Sequence, residues 1–202
     1  MLRPGGSHRL GRRLTQLYLG LVLYGVSVAL MVRAGLGLNP WGVFHQGLAR
    51  QTGWSLGVIT ILVAGAVLLL WIPLRQQPGI GTISNVVVIG VAIDASLVLL
   101  PEPHASPVRW AVLLAGILGN GLASACYIGA GLGPGPRDGL MTGWVGRYGG
   151  SVRAVRTTLE VTVLAIGWLL GGVVGAGTVL YAVGVGPLIQ RSLPVLTVSR
   201  RG

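Results

Sequence analysis

Apolar residues fill six stretches of the chain, each with at most one charged residue: Leu14–Val32, Leu56–Leu74, Ile83–Leu100, Trp110–Ile128, Thr157–Val174 and Val179–Leu196. Crossing about 30 Å of hydrocarbon takes about 20 helical residues, so each run has the length of a membrane span. Lipid offers no partner to backbone N–H and C=O groups, so each run is predicted to be α-helix. Two shorter patterns lie between the spans. Residues 39–50, NPWGVFHQGLAR, place Trp41, Phe44 and Leu48 on one helical face, with Asn39 as N-cap and Pro40 at the first helical position. Residues 135–148, GPRDGLMTGWVGRY, start with Gly135 and Pro136 and gather Leu140, Met141, Trp144 and Tyr148 on one face. Twelve helical residues reach only about 18 Å, so such helices lie in the interface or dip in and return.

Each short helix follows a glycine break, GLGLNP at 35–40 and GLGPGP at 131–136. An offset of 96 positions superposes the two breaks, carrying Ala34 to Ala130, Gly37 to Gly133 and Pro40 to Pro136. The same offset carries Gly20 to Gly116, Ser55 to Ser151 and the GIGT of 79–82 to the GAGT of 175–178. Glycine pairs alone would be modest evidence among 35 glycines; the proline and the GxGT match in the same register indicate an internal duplication. Three spans per copy force the second copy to enter the membrane from the opposite side. The expected fold is therefore an all-α membrane protein: six transmembrane helices as two inverted three-helix repeats, each with a short interfacial or re-entrant helix after its glycine break. The corresponding organisation is a basic cytoplasmic tail at 1–13, a first repeat at 14–100, a connecting loop at 101–109, a second repeat at 110–196 and a cytoplasmic tail at 197–202.

Composition agrees. Only 9% of residues are charged, and mean hydropathy is +0.76. The net charge of +11 comes entirely from arginine. These cations sit between apolar runs rather than on one face, which argues for lipid headgroups as partners and against nucleic acid. With the amino terminus inside, eleven arginines fall on the cytoplasmic side: Arg3, Arg9, Arg12, Arg13, Arg75, Arg137, Arg147, Arg153, Arg156, Arg200 and Arg201. Arg33, Arg50 and Arg109 fall outside, so both termini are expected in the cytoplasm. Trp54, Trp71 and Trp110 stand at run ends and are expected to anchor at headgroup level.

Few residues carry candidate chemistry. Asn39, Pro40 and Trp41 open the first short helix, and Gly135, Pro136, Arg137 and Asp138 the second. Their N–H groups and positive dipole ends suit a solute or ion, or else anchor a loop. Asp94 and Glu160 are the acids inside spans, Glu160 four residues after Arg156 on one face. Asn85 and Asn120 are expected to bond between helices. Gly139, Gly143, Gly167, Gly171 and Gly175 form small-xxx-small series for close helix packing. His45 has no Cys, Asp or Glu at ligand spacing, so neither a metal nor a cofactor is expected. The lone Cys126 excludes an intrachain disulfide.

GLGLNPWGVF, GIGT and GAGLGPGPRDGLMT, within residues 14–196, resemble the YczE/YyaS/YitT-type bacterial integral membrane proteins, in their YczE-like branch. The resemblance implies a multi-pass protein of the bacterial inner membrane, with no activity to carry over. Where that pattern has an acid after the first Pro-Trp, this chain has Gly42, leaving Asp138 as the one carboxylate at the breaks. The chain has no HExxH, GxSxG or Walker lysine, so it is not expected to be an enzyme. Two functions fit: a transporter or channel for a small solute, or a non-catalytic accessory protein that assembles a membrane partner or a homo-oligomer.

Overall fold

The computed structural model describes residues 5–198, with side chains from Leu10 onward; Arg3, Arg200 and Arg201 lie outside the described residues, as does the side chain of Arg9. The described residues are helical, in the order α1 Gly5–Ala34, α2 Pro40–Thr52, α3 Leu56–Leu69, α4 Trp71–Leu74, α5 Ile80–Leu99, α6 Ser106–Gly129, α7 Pro136–Tyr148, α8 Val152–Leu169 and α9 Ala176–Leu196. Pro73 cannot donate to the carbonyl of Leu69, which separates α3 from α4.

Among the described residues, five segments are long and apolar enough to cross a membrane: Leu10–Ala34, Leu56–Leu74, Ile80–Leu99, Ser106–Gly129 and Ala176–Leu196. The run at Thr157–Val174 differs from its expectation. Its helix, α8, starts earlier, takes in Arg153, Arg156 and Glu160, and stops before Gly171, whose φ of 93° turns the chain left-handed. Gly171 is therefore a turn residue and not a packing one; an added Cβ would touch nothing nearer than Arg50 Cδ at 3.9 Å.

The offset of 96 recurs in the structure. α2 and α7 start at Pro40 and Pro136, α5 and α9 at Ile80 and Ala176, and Gly35 and Gly131 share a φ of 63°. Contacts between the halves are reciprocal. A Cβ on Gly20 would lie 2.8 Å from the Tyr127 nitrogen, and one on Gly116 3.0 Å from the Ser27 carbonyl, so glycine lets α1 and α6 touch at both ends. Gly177 N–H donates to Leu36 O at 2.8 Å, and Gly81 N–H donates to Leu132 O at 2.9 Å. Each GxGT thus docks on the glycine break of the other half, which leaves no room for side chains: a Cβ on Gly37 would lie 2.7 Å from Gly175 N, and one on Gly133 2.8 Å from Thr82 Oγ1. Arg109 Nε donates to Ala34 O at 2.9 Å, and Arg13 Nε donates to Ala130 O at 2.7 Å. The end of α1 therefore meets the start of α6, and the end of α6 the start of α1, so these two central helices are antiparallel.

The core is the α1–α6 seam, with Leu17, Leu21, Met31, Leu113 and Ala123 fully buried; α5 flanks α1 and α9 flanks α6. Large apolar side chains such as Val98, Leu99, Leu169, Val183 and Val195 point outward, as lipid-facing positions do. Trp54 and Trp110 are exposed as expected of anchors, but Trp71 is buried to 2% exposure. It sits against Gly139 and donates from Nε1 to Pro136 O at 2.9 Å; a buried indole needs that acceptor.

The outer helices break the equivalence. α3 lies along α5: Asp94 accepts from Ser55 Oγ at 2.5 Å and from Gly57 N–H at 2.7 Å, and a Cβ on Gly57 would lie 2.1 Å from Gly90 O. The positions matching Asp94, Gly57 and Gly90 are Gln190, Arg153 and Gly186. No comparable seam joins α8 to α9, and nothing comes within 4 Å of a Cβ on Gly186. α8 packs instead on α2, where a Cβ on Gly167 would lie 2.4 Å from Phe44 N and one on Gly47 2.6 Å from Gly167 O.

Candidate functional site

A cavity of about 190 Å³ lies between the halves, lined from α1–α3 and α5–α9. Both short helices present their first residues to it: Asn39, Pro40 and Trp41 from α2, and Gly135, Pro136, Arg137 and Asp138 from α7. Their far ends are tied to connecting turns. Gln46 Oε1 accepts from Val173 N–H at 2.8 Å, Gln51 Nε2 donates to Leu170 O at 3.0 Å, and Gly143 of α7 abuts Gln76. Each short helix therefore runs from the cavity to a turn of the other half.

The two openings are capped differently. Asn39 Oδ1 accepts from Gly42 N–H at 2.7 Å, which satisfies the start of α2. Gly135 has no side chain, so the acid inside α7 serves instead: Asp138 receives the Gly135 N–H and, at 3.1 Å, the Tyr127 hydroxyl. Burial holds the Asp138 carboxyl above the ordinary carboxylate range, while the Tyr127 bond, Arg137, Arg156 and the Gly135 N–H pull it back.

Arg137 lies over the Trp41 ring, 4.8 Å from its centroid, and its guanidinium makes no hydrogen bond among the described residues. Arg156 Nε and Glu160 Oε1 pair at 2.9 Å on the α8 wall, as their spacing predicts. His45 is 4% exposed. The Thr60 hydroxyl gives its proton to Leu56 O at 2.8 Å, so it accepts from His45 Nδ1 at 3.1 Å, leaving Nε2 without a partner. Burial first, and then the charge of Arg137, push the His45 imidazole well below its ordinary value, so the ring is neutral and Nε2 is an acceptor.

The structure thus gathers every predicted binding residue except Asp94, which ties α3 to α5 away from the cavity. Asn120 bonds between helices as expected, its Oδ1 accepting from Tyr181 at 2.8 Å, whereas Asn85 lines the cavity. Gly139, Gly143, Gly167 and Gly175 do pack closely. Sequence reasoning did not single out Tyr127, Tyr181 or Thr60, and weighed His45 only as a metal ligand. The spacing of Tyr127 from Asp138 crosses a loop and follows no helical period, so only the fold brings them together.

The arrangement defines a class: a multi-pass α-helical membrane protein with a cavity, lined in part by charged and polar side chains, at the meeting of two half-length helices. The chain belongs to the DUF6198 family, described as a family of unknown function, whose model matches residues 11–193. It is 41% identical over 180 residues to a protein of Haemophilus influenzae described as uncharacterized, covering 89% of this chain and 83% of that one. It is 35% identical over 185 residues to the uncharacterized membrane protein YczE of Bacillus subtilis, covering 90% of this chain and 86% of that one. The YczE-like resemblance read from the motifs is therefore right. No solved structure matches.

Proposed function

We propose that the protein is a transporter or channel that passes a small solute through the central cavity, and that its fold is six spans in two inverted repeats, with α8 as the sixth. One observation carries the reading: two half-length helices, one from each repeat, open onto a shared polar cavity. That is the arrangement by which broken helices hold solutes near the bilayer midplane. The partly charged α8 fits because Arg156 and Glu160 neutralise one another on the cavity wall.

Location in the bacterial cell membrane, with both termini cytoplasmic, is part of the same reading. The three arginines left on the outside all have protein partners there. Arg33 bonds Glu102 and Leu97 O, Arg50 bonds Gly171 O, and Arg109 bonds Ala34 O and Gly35 O. They are held by local structure, so they do not weigh against the orientation set by the others.

The test uses single cysteines in a Cys126→Ser background, placed at Ser124 in the cavity and at Gly150 beyond α7. Sealed right-side-out and inverted vesicles are treated with a membrane-impermeant maleimide. Gly150→Cys should react only from the cytoplasmic face, and Ser124→Cys from at least one face through the cavity. Labelling of position 150 from the outside would refute the inverted repeat. A Ser124→Cys thiol that reacts from neither face would refute passage and favour an accessory role.

A further inference from the structure

We propose, resting on the transport reading, that the solute is a small carboxylate bearing a neighbouring hydrogen-bond donor, a 2-hydroxy or 2-amino acid, with its carboxylate on Arg137 and its donor toward His45. The cavity walls carry four charged side chains: Arg137, Asp138, Arg156 and Glu160. Arg156 donates from Nε to Glu160 Oε1 at 2.9 Å, so these two charges face each other. Asp138 Oδ2 accepts from the Tyr127 hydroxyl at 3.1 Å. Arg137 is the one of the four that makes no hydrogen bond among the described residues; its fork lies against the Trp41 face and is set in the first turn of α7, where the helix dipole adds positive potential. A guanidinium so placed matches a planar carboxylate in two parallel bonds.

The second half of the recognition comes from the opposite helix. His45 Nε2 is the one polar side-chain atom on the cavity-lining residues that is fully buried and partnerless among the described residues. With Nδ1–H spent on Thr60, Nε2 can only accept, so its complement is an O–H or N–H. Left unmatched it costs free energy; Nε2 is closed from the cavity, so a solute donor meets it only as the His45 ring turns toward the solute, and a solute lacking a donor recovers nothing.

Volume sets the size. The cavity of about 190 Å³ is below the range of drug-sized pockets, which favours a small solute. A three-carbon acid with one further heteroatom has six non-hydrogen atoms, and lactate and alanine are the smallest useful probes of the two variants of this chemistry.

The experiment is equilibrium dialysis of radiolabelled L-lactate, L-alanine, propanoate and lactamide against the full chain in lipid nanodiscs, paired with uptake of the same compounds into proteoliposomes. Lactate, alanine or both should bind about tenfold or more tighter than propanoate, which lacks the donor, and lactamide, which lacks the charge. Arg137→Lys, which keeps the charge but loses the fork, should weaken the acid at least tenfold, while His45→Gln, which retains an acceptor, should bind better than His45→Leu. Equal binding of propanoate and lactate, or binding of lactamide alone, would overturn the assignment without help from any variant. So would absence of all binding. Binding with the expected selectivity but no uptake would leave the ligand class standing and remove the transport reading. Uptake of a compound without the carboxylate or the donor would do the reverse.

Discussion

The two arginine clamps at the ends of the central helix pair offer a direct measure of how equivalent the halves are. Arg109 donates to Ala34 O and Gly35 O at 2.9 and 3.2 Å, and Arg13 to Ala130 O and Gly131 O at 2.7 and 2.6 Å. Each caps the carbonyl end of the opposite helix, where a cation is favoured by the dipole. Hydrogen bonds to a charged donor contribute about 1.5–3 kcal/mol each when sheltered, and here one of each pair is exposed, so Arg→Met at either site should cost about 2 kcal/mol. Methionine keeps the apolar stem, so the loss reports the guanidinium. The clamps stand at opposite ends of α1, roughly 30 Å apart by helical rise, far enough for their effects to add. Arg13→Met, Arg109→Met and the double variant would be unfolded reversibly in mixed micelles. The expected result is two equal single losses and a double loss of about 4 kcal/mol. Single losses differing by more than about 1 kcal/mol, or a double no worse than either single, would refute the reciprocal capping.

Two further predictions follow from local geometry. Gly167→Ala gains about 1 kcal/mol of helix propensity, but its Cβ would lie 2.4 Å from the Phe44 backbone nitrogen, which cannot swing aside; overpacking of about 3 kcal/mol wins, and size-exclusion profiles should show loss of monodisperse protein, whereas Gly184→Ala, with open space around it, should be tolerated. Asp138 has its folded pKa raised, so its stabilising contribution is full below the ordinary carboxylate range and is lost as pH rises through the folded value; Asp138→Asn should flatten that segment of the melting temperature against pH, and an unchanged slope would contradict it.

Much of this was legible in the chain because the duplication multiplies each signal. Pro40 with Pro136, and GIGT with GAGT, gave the register, and the helix starts follow it. Trp71 was misleading, since its place at the end of an apolar run resembles an anchor while its actual neighbour, Gly139, is remote in sequence. His45 was undervalued for a related reason. Its tautomer depends on where the Thr60 proton goes, and no sequence pattern encodes a hydroxyl rotor. Likewise Gly171 continues a glycine series by spacing, but the helix ends before reaching it.

The unequal outer walls have a further meaning for a body made of near-copies. α3 is latched to α5 through Asp94, while α8 leans on α2 and forms no comparable seam with α9. On the transport reading, an exchange of these two poses would release the Asp94 latch and bring α8 onto α9, with Trp41 and Arg137 still facing the same small chamber.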